Sequence, residues 1–252
     1  MKQTAVAAKQ FGETAAAYLT SAVHAQGADL QALKEIAGGI KAAKVLDLGC
    51  GGGHVSFAVA PFAASVVACD LSAQMLGVVA AAADERGLAN VTTQQAQAEV
   101  LPFADVSFDL IVTRFSAHHW FDVAAGLREA HRVLRPGGVF VVIDVVAPEH
   151  PLHDTTMQAV ELLRDASHVR DYPVSEWNGM LTAAGFAAEH VHGWKLKMVF
   201  DDWIARMRTP AERVAAIRSL FDSAPEETRA YFAVEEDYSF TIDAAMFRAT
   251  TA

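Results

Sequence analysis

The chain alternates between short apolar runs of strand length and longer stretches whose apolar residues recur at helical spacing. Val45, Leu46 and Leu48 form a β-favouring run that ends in glycines and passes into a helical pattern over 55–63. A second run, 65–70, closes on a carboxylate. Ser72 then caps a predicted helix through residue 86, with Met75, Leu76, Val78 and Val79 on its apolar side, and Gly87 ends it. Strands are predicted over 91–96 and 108–113 and a helix over 123–134, with a stop at Arg135-Pro136-Gly137-Gly138. The run 139–146 is almost wholly β-branched and apolar, and reads as a buried strand. Such alternation implies a parallel sheet with helices on both faces.

After Pro148 the pattern changes. Residues 149–175 hold a polar, histidine-bearing helix, another runs over 175–184 to Gly185, and 187–200 reads as a strand. Residues 201–223 read as two short helices split at Thr209-Pro210, and a last strand near 238–250 pairs back into the sheet. The expected architecture is α/β: a doubly wound, mostly parallel seven-stranded sheet with an antiparallel last strand and inserted lid helices. No linker marks a second unit, so 1–252 reads as a single domain. It divides into a helical cap (1–43), a cofactor-binding core (44–147) and a substrate lid with the last two strands (148–252).

Composition narrows the choice of partner. With 52% hydrophobic and 20% charged residues there is material for a core and no signature of disorder. A net charge of −10, with 20 basic residues in no long run, argues against nucleic acid. Cys50 and Cys69 are too few for a disulfide framework. No apolar span of about 18–20 residues and no export leader is visible, so a cytoplasmic protein without integral membrane association, monomer or homodimer, is expected.

The chemistry begins at the glycine cluster. Its spacing is G-x-G-x-G (Gly49, Gly51, Gly53), whereas the dinucleotide fingerprint would place its third glycine where His54 stands. Asp47, two residues before the first glycine, would repel a pyrophosphate but suits a ligand carrying an ammonium and a sulfonium. Asp70, at the end of the second strand, is placed to accept ribose hydroxyls. NAD enzymes use an acid in the same place, and a carboxylate ahead of Ser72 also suits a helix start. Leu71 and Met75 follow, as adenine walls or, for Met75 equally, as helix packing. Residues 114–120, Arg-Phe-Ser-Ala-His-His-Trp, lie over the expected switch point of the sheet. Adjacent histidines rarely chelate one metal together, so no metal is expected there.

Several segments together resemble the class I S-adenosylmethionine-dependent methyltransferases, in the ubiquinone/menaquinone-biosynthesis-type small-molecule branch. They are Gln10–Tyr18, the 45–56 loop region, 69–75, 97–103 (Gln-Ala-Glu-Val-Leu-Pro-Phe), 118–120 and Arg132–Gly138. The resemblance implies a Rossmann-like fold and S-adenosyl-L-methionine as donor, with S-adenosyl-L-homocysteine as product. It places Phe11 and Tyr18 near the sulfonium, Asp47, Gly49, Cys50, Gly51 and Gly53 in the donor loop, Asp70 by the ribose, and Leu71 and Met75 beside the adenine. Gln97, Ala98 and Glu99 fall by the adenine, with Gln97 where the family carries a stronger acidic acceptor. Arg114 completes the donor set. For transfer to a small-molecule acceptor, with C- or O-methylation favoured, His119 is the first candidate base, followed by His118 and His168. Arginines in 149–175 and at 206–208 can bind a substrate carboxylate or phosphate. A donor-binding protein without transferase activity remains an alternative. An NAD-type oxidoreductase is disfavoured by His54 and Asp47.

Overall fold

The structure, a computed structural model, describes residues 2–19 and 27–251, with the backbone alone for 13–19. Helices α1 (Gln3–Leu19) and α2 (Ala28–Gly39) precede β1 (Ala43–Leu48), α3 (His54–Val59), β2 (Ala63–Asp70), α4 (Ala73–Glu85) and β3 (Val91–Gln95). Then come β4 (Phe108–Arg114), α5 (Val123–Val133) and β5 (Leu134–Val146). Beyond these lie α6 (Pro151–Arg164), α7 (Val174–Ala183), β6 (Ala187–Met198), α8 (Phe200–Arg206), α9 (Ala211–Ser223), α10 (Glu226–Tyr231) and β7 (Phe240–Thr250).

The strands form one sheet in the order β3-β2-β1-β4-β5-β7-β6. Strands β3 through β5 are mutually parallel, and β7 runs antiparallel to both β5 and β6. The seven-stranded, mostly parallel, doubly wound sheet is therefore as expected. Leu46, Ile111, Phe140 and Val142 pack on one face and Val45, Leu110, Val141 and Ile143 on the other, because successive strand residues point to opposite sides. Each such side chain, fully buried, contributes about 1.5–3 kcal/mol. A third core, around Met157, Trp203, Ile217, Phe221 and Phe240, holds the inserted helices together. Asp109, at the start of β4, ties three segments: its carboxylate accepts from the Lys44 amide (2.8 Å) and from Arg135 (2.6 Å).

Three boundaries differ from expectation or sharpen it. Arg135–Gly138 does not separate helix from strand but bulges within β5, whose register jumps from Phe108–Leu134 to Leu110–Val139. The helix within 149–175 ends at Arg164, because the next residues make other bonds. The Asp165 carboxylate captures the Ser167 amide, and the amides of Val169 and Arg170 both donate to the His118 carbonyl. Finally, α10 follows Pro225 with no signal recognised in the sequence.

The chain winds outward in opposite directions from β1 and β4, so the carboxyl ends of these two strands flank the switch point. In such sheets ligands bind there.

Candidate active site

One elongated cavity opens at that switch point, floored by the glycine loop and roofed by α1. At its near end Asp47 is buried, and Oδ2 accepts from both the amide (2.9 Å) and the hydroxyl (2.6 Å) of Ser56 in α3. Burial pushes its carboxyl up to about 6, against the pull of those two bonds. Gly49 sits at φ +74°, and a Cβ there would lie 1.9 Å from Ser116 Oγ, so only glycine lets the β1 and β4 loops meet. The amides of Gly49 and Cys50 donate to the Cys69 carbonyl. Burial raises both thiols, Cys69 to about 12, which leaves them unreactive.

The Gly51 amide donates to Asp70 Oδ2 (3.0 Å) and the Ser72 amide to Oδ1 (2.9 Å), which aims this carboxylate while leaving it acceptor capacity. A Cβ on Gly51 would meet no protein atom within 4 Å, so the loop offers bare backbone to the cavity, as a closely held ligand requires. Leu71 and residues 96–99 continue the same wall.

At mid-cavity Phe115 holds φ +51°, a left-handed conformation costly for a non-glycine residue, as the chain turns off β4. The next turn points both imidazoles at the cavity. His118 Nδ1 meets Asp144 Oδ1 at 2.6 Å, and the His118 amide donates to Oδ2 (3.3 Å). Burial opposes the imidazolium, but the Asp144 carboxylate outweighs it and lifts His118 to about 9. His119 moves the other way, to about 3, through burial and the charge on His118, whose ring centre is 4.1 Å away. His119 Nδ1 contacts the Ser167 carbonyl (3.2 Å). A carbonyl only accepts, so Nδ1 carries the proton and Nε2 presents a lone pair.

The far end has two unlike walls. Val145, Leu196, Met198, Trp203 and Ile242 make one apolar; Glu161, Arg164, Asp165, Asp171 and Arg206 make the other polar. Arg164 donates to the Trp203 carbonyl (3.0 Å) and lies 3.6 Å from Glu161. Burial raises the carboxyls of Glu161 and Asp171. From the roof, Gln3 donates to the Ser167 carbonyl (2.6 Å), Gln10 to that of Met207 (3.0 Å), and Phe11 meets His119 edge-on.

Residues 46–142 match the family described as the methyltransferase domain. The chain is 50% identical over 194 residues to the uncharacterized protein YafE of Escherichia coli K12, covering 77% of this chain and 94% of that one. It is 38% identical over 224 residues to the uncharacterized methyltransferase YcgJ of Bacillus subtilis, covering 89% and 88%. The chain belongs to the class I S-adenosylmethionine-dependent methyltransferases. The crystal structure of YcgJ matches this methyltransferase with a TM-score of 0.86 at 35% identity, over 89% of this chain and 98% of that one. The ubiquinone/menaquinone biosynthesis C-methyltransferase UbiE of Shewanella sp. ANA-3 is 37% identical over 122 residues, but over only 47% of this chain and 49% of its own. That likeness leaves the quinone branch an expectation.

All the site residues expected of a methyltransferase line the cavity except Gly53, Met75 and His168; the side chain of Tyr18 lies outside the described residues. Gly53 (φ +78°) begins α3, where a Cβ would strike the Phe57 ring at 2.8 Å. Met75 is fully buried in α4, the packing alternative. His168 stands behind His118 with rings 6.0 Å apart, its Nε2 3.0 Å from Gln158 Oε1, and burial pulls it to about 2. Arg114 lines the cavity while its guanidinium pairs with Asp29 of α2. Arg170 faces outward, paired with Asp154 (3.2 Å).

Asp144, Glu161 and Asp171 were missed. Only Asp144 left a usable trace, as a lone carboxylate inside an otherwise apolar strand. Among the described residues no group of three His, Cys, Asp or Glu side chains is arranged to hold a metal ion, and no helix is long and apolar enough to cross a membrane.

Proposed function

We propose that this methyltransferase transfers the methyl group of S-adenosylmethionine to a small-molecule acceptor lodged at the far end of the same cavity. The observation that carries the proposal is continuity: one cavity runs from the glycine loop and Asp70, past two imidazoles, to a chamber with its own polar and apolar walls. S-adenosylmethionine supplies an electrophilic methyl on a sulfonium. Asp70 holds the ribose hydroxyls, Gln97 accepts from the adenine amine, and Asp47 faces the positive end of the donor. Phe11 and the rest of the roof exclude water, which favours alignment of the reacting atoms.

Any proton the acceptor loses goes to the His118–Asp144 pair in this proposal. The sequence put His119 first, and His119 is indeed neutral near pH 7. At about 3, however, it is too weak a base to take a proton from a hydroxyl or an ammonium of pKa near 10. His118, at about 9, lies within roughly one unit of such groups, and Asp144 fixes its tautomer. His118 is charged near pH 7, so only its neutral fraction, about one part in a hundred there, acts as the base, and turnover rises towards pH 9.

Titration calorimetry with S-adenosylmethionine and with NAD tests the donor, and binding of the first alone is expected. Incubation with cell extract and S-adenosylmethionine should then add one CH₂ to a small molecule by mass measurement. NAD binding without S-adenosylmethionine binding would overturn the proposal, and so would donor binding with nothing methylated.

A further inference from the structure

The far end of the cavity holds an unresolved chemical problem: acceptors face acceptors. Asp165 is 2% exposed, and its Oδ1 is taken by the amide and hydroxyl of Ser167, both at 2.7 Å. Its Oδ2 has no hydrogen-bond partner and lies 4.0 Å from His119 Nε2, the nitrogen that presents a lone pair. Across the same wall Asp171, also 2% exposed, leaves its own Oδ2 without a hydrogen-bond partner, 3.8 Å from His168 Nε2. Buried polar atoms normally find partners, and an unmet one costs about 1–3 kcal/mol, more when charged.

We infer that the acceptor enters with a head that donates hydrogen bonds, a hydroxyl or an amine on an apolar body, seated between Asp165, Asp171 and His119. This rests on reading the far end as the acceptor site. A donor placed between Asp165 Oδ2 and His119 Nε2 satisfies two acceptors at once. A hydroxyl also serves Asp171 in either protonation state, since it both donates and accepts. A carboxylate or fully ionised phosphate has no hydrogen to offer Asp165 Oδ2 or His119 Nε2 and would leave both unmet. The sequence-level expectation of an anionic substrate loses its basis in 149–175. There Arg164 is engaged by Glu161 and the Trp203 carbonyl, and Arg170 does not reach the cavity. That expectation is left with Arg206, which lines the cavity with its guanidinium 3.9 Å from Met198 Sδ. The opposite wall, with Trp203, Met198 and Ile242, accounts for the apolar body.

The test uses the full chain saturated with S-adenosylhomocysteine and four probes followed by calorimetry: catechol, benzylamine, benzoate and phenyl phosphate. Catechol or benzylamine should bind at least tenfold more tightly than either anion, and which of the two wins separates hydroxyl from amine. Asp165→Asn keeps the oxygen that holds Ser167 and replaces the other by a donor. It should weaken the preferred probe at least tenfold with unchanged S-adenosylhomocysteine affinity and circular dichroism. Asp171→Asn, checked in the same way, guards against a folding defect in the first variant. An anion bound as tightly as the neutral or cationic probes, no probe bound at all, or both variants without effect would overturn the inference. Failure to bind S-adenosylhomocysteine would instead sink the methyl-transfer reading itself.

Discussion

At the near end of the cavity the shaping contacts come from main chain: the amides of Gly49 and Cys50 on the Cys69 carbonyl, and those of Gly51 and Ser72 on Asp70. At the far end they come from side chains on separate elements: Glu161 and Arg164 of α6, Asp165 and Asp171 of the following loop, and Trp203 of α8. Backbone geometry at a parallel strand end follows from the sheet, so the near end is set once β1, β2 and β4 are paired. The far end depends on how inserted helices happen to lie. Such a division lets one donor site serve many acceptors, because the residues after Val146 can change without disturbing β1 to β4.

The contrast can be broken from either side. Asp144→Ala removes the only carboxylate bonded to His118 Nδ1. It should lower turnover by about 10²–10⁴-fold, the usual worth of a positioned acid–base group, with donor affinity nearly unchanged by calorimetry. Asp144→Asn keeps a bond but not the charge, and should move the rising, acid-side limb of the rate profile down from about 9. Asp70→Ala is the mirror experiment. It should weaken donor binding about a hundredfold while leaving the NMR titration of His118 in place.

Acidity separates the two ends further. Donor affinity should fall about tenfold between pH 7 and pH 5, as Asp47, with a pKa of about 6, takes up a proton and loses its attraction for a cation. The far end responds through stability. His168 and His119 lie below their ordinary value of 6.5 in the fold, so the unfolded chain binds the extra protons. The stability they confer is complete above pH 6.5 and is lost as pH falls, by about 1.4 kcal/mol per unit for each proton. Asp47, raised above 3.8, works in the opposite sense between roughly pH 4 and 6. Denaturant titrations of His168→Gln should therefore show a shallower acid slope than the parent chain. The smallest effect belongs to Arg170→Ala, a partly exposed ion pair outside the cavity, which should change stability by less than about 0.5 kcal/mol and neither binding event.

The same contrast explains what could be read from sequence. Gly49, Gly51 and Asp70 were legible because a strand, a tight loop and the next strand end put them in fixed relation over few residues. His118 and His119 were legible as a pair but not in their roles. Their opposite protonation is decided by Asp144, 26 residues from His118, which holds that ring charged, and by the burial and neighbouring charge that keep His119 neutral. Met75 was ambiguous because the apolar face of a helix looks alike whether it meets a sheet or a ligand. The polar run 165–172 falls in a segment expected to cover the pocket, but its capture by the His118 carbonyl is a tertiary event that no local pattern records.

Helix α1 roofs the near end, yet the two glutamines described above fasten it to Ser167, which holds Asp165 of the far end, and to Met207, next to the cavity-lining Arg206. The compartments therefore share one door. Lifting the helix would break these two neutral amide–carbonyl bonds, each worth about 0.5–1.5 kcal/mol net, together with the Phe11–His119 contact and the helix's packing on α4, and would unseal both at once. On the methyl-transfer proposal, spent donor and finished product would then leave through a common gate, and the pace of its opening would set an upper bound on turnover however fast the methyl moves.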